Sequence, residues 1–181
     1  MRRKGTAVST LEQWLFNSGP AYAERLEAQA DPLCRSVTTL MMTAYPDLCY
    51  LPNRPDAATF QQRTFTETPK RFHRLMQVVL QLQSLSVIEY EYRWGWPVLQ
   101  RFGVGAVHLL THARWYFENA RRLVPTDPAD HPYVLALESR THSIIETVVM
   151  QPLDHNIALG QLGRRNGHAR NGHSQNGIQE R

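Results

Sequence analysis

Apolar residues recur at three- and four-residue steps through most of residues 9–151, the period of helices buried along one stripe. Ser9-Thr10-Leu11-Glu12 reads as a capping box, in which hydroxyl and carboxylate satisfy each other's end of a new helix. Leu11, Trp14 and Leu15 form the apolar face of that helix, and Gly19-Pro20 is expected to end it. A second helical stretch spans about Ala21 to Ala44, with Asp31-Pro32 offering a cap and a first-turn proline near its middle. Leu33, Val37, Leu40 and Met41 mark its second half as core. Tyr45-Pro46 stops it, and Leu51-Pro52-Asn53-Arg54-Pro55 makes a rigid loop before Asp56, the expected cap of the next helix. Thr68-Pro69 should kink that helix or begin a new one. Phe72, Leu75, Met76, Val79, Leu80 and Leu82 then form a broad apolar stripe.

Ser86-Val87-Ile88-Glu89 is a second capping box, opening a helix rich in aromatic residues. Tyr90, Trp94, Val98 and Phe102 share one face at i, i+4 spacing; Tyr92, Trp96 and Leu99 share another. A helix apolar on two sides belongs at the centre of a bundle, so both sets of rings are expected in the core. The alternative is that rings around the Pro97 bend line a ligand pocket formed by Tyr90, Trp94, Trp96 and His108. Gly103-Val104-Gly105 then turns the chain into a helix whose Ala106, Leu110, Ala113, Phe117, Ala120 and Val124 point one way. Trp115, His108 and Asn119 lie on the opposite side and, with Arg122, make the expected partner interface, where large aromatics and arginine are favoured. A last helix starts near Pro132 and aligns Val134, Leu137, Thr141, Ile144, Ile145 and Val148.

No window sustains strand alternation. The expected fold is all-α: one domain over residues 9–151, a bundle of about six helices. It lies between a disordered basic N-terminus (1–8) and a flexible Gly/Asn/His/Arg-rich tail (152–181).

Composition removes several function classes. Two cysteines, Cys34 and Cys49, with no C-x-x-C argue against a disulfide framework, a zinc ribbon or covalent haem, and suggest a reducing, cytoplasmic setting. Neither a secretory leader nor a membrane span is expected. The formal charge is +4, but seven of the 20 basic residues lie at the ends with Glu180 as their one acid. Residues 5–163 therefore hold 13 basic against 15 acidic side chains, a net of −2. A groove built to neutralise phosphates would place that excess on the domain itself. Arg63, Lys70, Arg71 and Arg74 are the one basic cluster in the body, read first as a solvated helix face and second as a nucleic-acid or anion site.

Nucleophile elbow, P-loop and dinucleotide fingerprint are all missing, so no catalytic set is expected. His108 and His112 stand one turn apart, a spacing that permits shared metal ligation with His142 as third ligand. Leu109 stands where a zinc-protease helix carries its glutamate, and the first expectation is no metal and no cofactor.

Tyr45-Pro46-Asp47-Leu48, Phe72-His73-Arg74-Leu75-Met76, Arg101-Phe102-Gly103-Val104 and Trp115-Tyr116-Phe117 follow one another as in the globin-like helical sensor domains of bacterial signalling proteins. The resemblance is to the N-terminal domains of stress-response co-antagonists and to globin-coupled sensors. It implies a globin-like fold in which the Arg101–Val104 turn lies beneath a ligand pocket. Haem-binding members place the iron-ligating histidine four residues before the turn glycine, where this chain has Leu99. The resemblance thus implies a non-haem regulator; haem, if bound, would fall to His73, His108 or His112.

The leading expectation is a non-catalytic helical regulatory or scaffold module that binds protein partners or a second copy of itself and senses a small ligand. A haem or other tetrapyrrole binder and a helical subunit of a nucleic-acid-binding assembly are the two alternatives.

Overall fold

The computed structural model describes residues 10–151; the basic N-terminus (1–8) and the tail (152–181) read from the sequence lie outside the described residues. Within them the chain is all-α, with six helices: α1 (Leu11–Glu27), α2 (Ala30–Ala44), α3 (Ala57–Leu82), α4 (Ser86–Gln100), α5 (Ala106–Leu123) and α6 (His131–Met150). No helix among the described residues is long and apolar enough to cross a membrane.

The first helix opens one residue later than the capping-box reading. Thr10 is the N-cap, and its Oγ1 accepts from the Gln13 backbone N–H at 3.3 Å. Gly19-Pro20 does not end α1. Pro20 is exposed, so water can satisfy the Phe16 carbonyl that loses its helical donor. Gly19 faces inward instead, where a Cβ would stand 3.0 Å from the Leu80 carbonyl oxygen of α3. This glycine marks a close helix crossing. The break comes at Ala28-Gln29, and Asp31 falls in the first turn of α2, where a carboxylate favours the positive end of the helix.

Pro69 does not divide α3 either, which runs unbroken for 26 residues. Proline at this position leaves the Phe65 carbonyl without its i+4 donor. Thr38 of α2 supplies one: its hydroxyl donates to Phe65 O at 3.2 Å. A neighbouring helix thus repairs the defect, and the two helices are tied at that level. The stop is at Gln83, in the left-handed region (φ 56°), where the Ser84 N–H reaches back to the Val79 carbonyl at 3.1 Å. The second predicted capping box does not form. Leu85 occupies the cap position, Ser86 bonds to the Ser84 hydroxyl, and Glu89 accepts from Arg93 at 2.6 Å.

α3 is the most widely shared helix, packing on α1, α2, α4 and α5; α5 packs on α2 and α6, and α4 on α6 and α3. Leu15, Leu26, Leu33, Val37, Met76, Val79, Leu80, Ile88, Leu137 and Ile145 are fully enclosed among them. The buried face of α6 contains Val134, Leu137, Thr141, Ile145 and Val148, as the spacing predicts, with Val149 added and Ile144 half-buried. Asp130, at the start of α6, ties it to α1 by accepting from Trp14 Nε1 at 2.8 Å and from Arg25 at 3.2 Å.

The aromatic helix is where pattern and structure part. α4 buries Ile88, Tyr92 and Trp96, whereas Tyr90 (76% exposed), Trp94 (62%) and Val98 (44%) face outward. The cause is placement. Among the described helices α4 packs mainly on α6 and α3, so one of its two apolar faces is turned away from them.

Candidate functional site

A shallow, largely open depression of about 460 Å³ lies beside α5 and is lined by Leu40, Trp115, Glu118, Asn119, Arg121 and Arg122. Three of the four residues expected as an interface, Trp115, Asn119 and Arg122, therefore meet at one place. Helical geometry explains it: Trp115, Glu118, Asn119 and Arg122 are three or four residues apart and share a face. Leu40 comes from α2, which packs along that face.

The floor is fixed by hydrogen bonds. Asn119 is buried, accepts from the Ser36 hydroxyl at 2.7 Å and donates to the Trp115 carbonyl at 2.8 Å. Both ends of its amide are engaged, so it positions the helix under the indole. Trp115 is half-buried, its ring 6.0 Å from that of Tyr45, which meets the His108 imidazole edge-on at 4.6 Å. On the rim Arg121 pairs with Glu138 and Glu118 with Arg114, while no carboxylate of the described residues pairs with Arg122.

His108, the fourth expected interface residue, is outside the groove lining and closes the N-terminus of α5. Its Nδ1 accepts from the Gly105 N–H at 2.8 Å, the reciprocal bond of a capping box. Burial holds its basicity below the ordinary histidine range. His112 is enclosed, its ring edge-on to Phe72 at 5.1 Å and its Nε2 without a partner among the described residues; burial lowers its pKa to about 4. His142 lies on α6, near Phe117. Among the described residues no three histidine, cysteine, aspartate or glutamate side chains stand where a metal ion would need them.

The aromatic pocket set is likewise dispersed: Tyr90 and Trp94 are on the outer face of α4, Trp96 is in the core, and His108 caps α5. The three histidines named for haem are His73, His108 and the enclosed His112. His73 has both ring nitrogens engaged, Nε2 with Glu27 at 2.9 Å and Nδ1 with the Tyr116 hydroxyl at 2.9 Å. His108 is committed to its cap, and none of the three lines the groove. The basic cluster on α3 is only half neutralised, two carboxylates against four cations: Lys70 bonds Glu67 at 3.0 Å, Arg71 bonds Glu91 at 2.6 Å, and Arg74 lies 3.8 Å from the same Glu67. Arg63 completes the set on the exposed side of α3.

Two arrangements escape the sequence reading. One is the participation of Leu40, read as core, and of Tyr45, read as a helix stop. The other is the Glu27–His73–Tyr116 chain, whose members come from α1, α3 and α5 and have no spacing that could signal it. That chain is closed to ligands, since His73 is 4% exposed and Tyr116 is fully enclosed. Burial, reinforced by Asp31, also pushes the Cys34 thiol up to about 11, so it stays protonated and inert at neutral pH.

No family model, curated protein or solved structure matches the chain.

Proposed function

We propose that this chain is a non-catalytic helical module that regulates or scaffolds by binding a partner protein, and that the partner docks in the Trp115 groove. The observation that carries the reading is the meeting of Trp115 and Arg122 in one concavity over the bonded Asn119 floor. Tryptophan and arginine dominate binding energy where they can be desolvated against a partner. Arg122, which pairs with no carboxylate among the described residues, favours a partner segment that sets an acidic residue beside an apolar anchor.

The test is selection of displayed random peptides against the full chain. Enriched peptides should pair an apolar side chain with Asp or Glu and lose binding roughly tenfold with Trp115→Ala. Equal binding to the variant, or no enrichment, overturns the reading. A Soret-type absorption band gained on adding haem would replace it with the tetrapyrrole alternative. Salt-sensitive retention of RNA, lost when Arg63, Lys70, Arg71 and Arg74 become Ala, would replace it with the nucleic-acid one.

A further inference from the structure

We propose that His108 is a proton-operated latch: its neutral imidazole closes the first turn of α5 and, through Tyr45, holds the Trp115 indole, and protonation releases both. The affinity of the Trp115 groove for its partner then falls with pH. This last consequence rests on the reading of the groove as a docking site.

The cap bond dictates the protonation state it needs. The Gly105 N–H donates to His108 Nδ1 at 2.8 Å, and no backbone carbonyl of the described residues takes that N–H. Nδ1 accepts only while it holds a lone pair, which the neutral ring with its proton on Nε2 has and the imidazolium lacks. Gly105 has no side chain to return the bond, so His108 supplies the one side-chain hydrogen bond of this cap. Glu or Gln ordinarily fills this third position of a capping box. Glutamine keeps its acceptor at every pH and glutamate down to about pH 4, whereas histidine loses its own close to neutrality. An imidazolium here would also face the positive end of the helix.

His108 is half-buried, so protons reach it from solvent. The Tyr45 phenol faces it from the end of α2, and His112 stands one turn further along α5. No charged side chain of α2, α3, α6 or the Gly103–Gly105 corner shifts its basicity; burial alone lowers it from the ordinary 6.5. The latched form is therefore the one present above pH 6.5, and release comes as pH falls below it.

The release has a route to the groove. His108 and Trp115 lie two turns apart on one face of α5, and Tyr45 contacts both. Its ring meets the imidazole edge-on at 4.6 Å and lies 6.0 Å from the indole. Its backbone is pinned, since the Tyr45 N–H donates to the Met41 carbonyl at 2.9 Å. The rings it touches therefore position its side chain, and an imidazole that leaves the cap takes one of them away. The Asn119 floor, bonded to Ser36 and to the Trp115 carbonyl, stays in place. What changes is the setting of the indole above it.

NMR of the nitrogen-15-labelled full chain from pH 7.5 to pH 5 tests the latch without a partner. The Gly105 amide and Trp115 indole signals should move together with one midpoint. His108→Gln keeps an acceptor throughout, so both signals should stand still. His108→Leu should put the indole signal at its acid position already at pH 7.5. A peptide selected on the groove should bind the wild type several-fold more weakly at pH 5.5 than at pH 7.5, and His108→Gln equally at both. An indole that does not follow Gly105, a movement that persists in His108→Gln, or equal peptide binding by the wild type at both pH values overturns the proposal. If no peptide is selected, the docking reading falls, and the NMR titration still decides the latch.

Discussion

Nδ1 of His73 lies 2.9 Å from the hydroxyl of Tyr116, closing a polar chain that starts at Glu27 on the surface and ends in the middle of the bundle. Glu27 is an acceptor, so Nε2 carries the proton it receives, and in that tautomer Nδ1 accepts from the Tyr116 hydroxyl. Three helices are thereby fixed in mutual register by two bonds. Tyr116→Phe strands a buried acceptor and should lower stability by about 1–3 kcal/mol in urea unfolding. Glu27→Gln, at the solvated end, should change it by less than about 1 kcal/mol.

His112 gives the fold an acid limit. Its folded pKa of about 4 lies below the unfolded value near 6.5, so between those limits the unfolded chain binds the extra proton. Stability is whole above pH 6.5 and declines as pH falls toward 4, with a loss on the order of 3 kcal/mol. Urea midpoints measured from pH 7 to pH 5 should fall more steeply in the wild type than in His112→Leu. Parallel slopes would remove His112 as the cause.

The two mid-helix glycines should respond in opposite directions. Gly19→Ala forces a Cβ to 3.0 Å from the Leu80 carbonyl, which is backbone and cannot swing aside; a loss of about 1–3 kcal/mol is expected. Gly95→Ala meets open space and gains helix propensity, so the fold should be stabilised by roughly 0.5–1 kcal/mol. Thermal melts of both variants decide this.

Thr38 and Pro69 form a coupled pair across two helices. Thr38→Val removes the donor to Phe65 O and should cost about 1–2 kcal/mol while Pro69 is present. With Pro69→Ala the helix regains its own N–H at that carbonyl, and the same change at Thr38 should then matter far less. A double-mutant cycle with zero coupling would show that water, and not Thr38, satisfies the Phe65 carbonyl.

Much of the fold is legible from spacing. The stop at Tyr45-Pro46, the corner at Gly103–Gly105 and the buried face of α6 all follow from local chemistry, because helical period and turn residues act within a few positions. The prolines mislead for a physical reason. Pro20 and Pro69 remove a donor locally, but solvent at one and Thr38 at the other restore what was lost. The groove was legible in part: Trp115, Asn119 and Arg122 share a helical face, but Leu40 enters from another helix and carries no mark of it.

What the sequence determined alone is periodicity: six amphipathic helices, where the apolar stripes run, and that α4 carries two of them. Tertiary structure decided which stripe is covered. Ile88, Tyr92 and Trp96 are buried, and Tyr90, Trp94 and Val98 are exposed, because among the described helices α4 packs mainly on α6 and α3. It also decided what His73 does. A histidine in the middle of an apolar stripe has no assigned partner until folding brings Glu27 and Tyr116 to its two nitrogens, from 46 and 43 residues away along the chain.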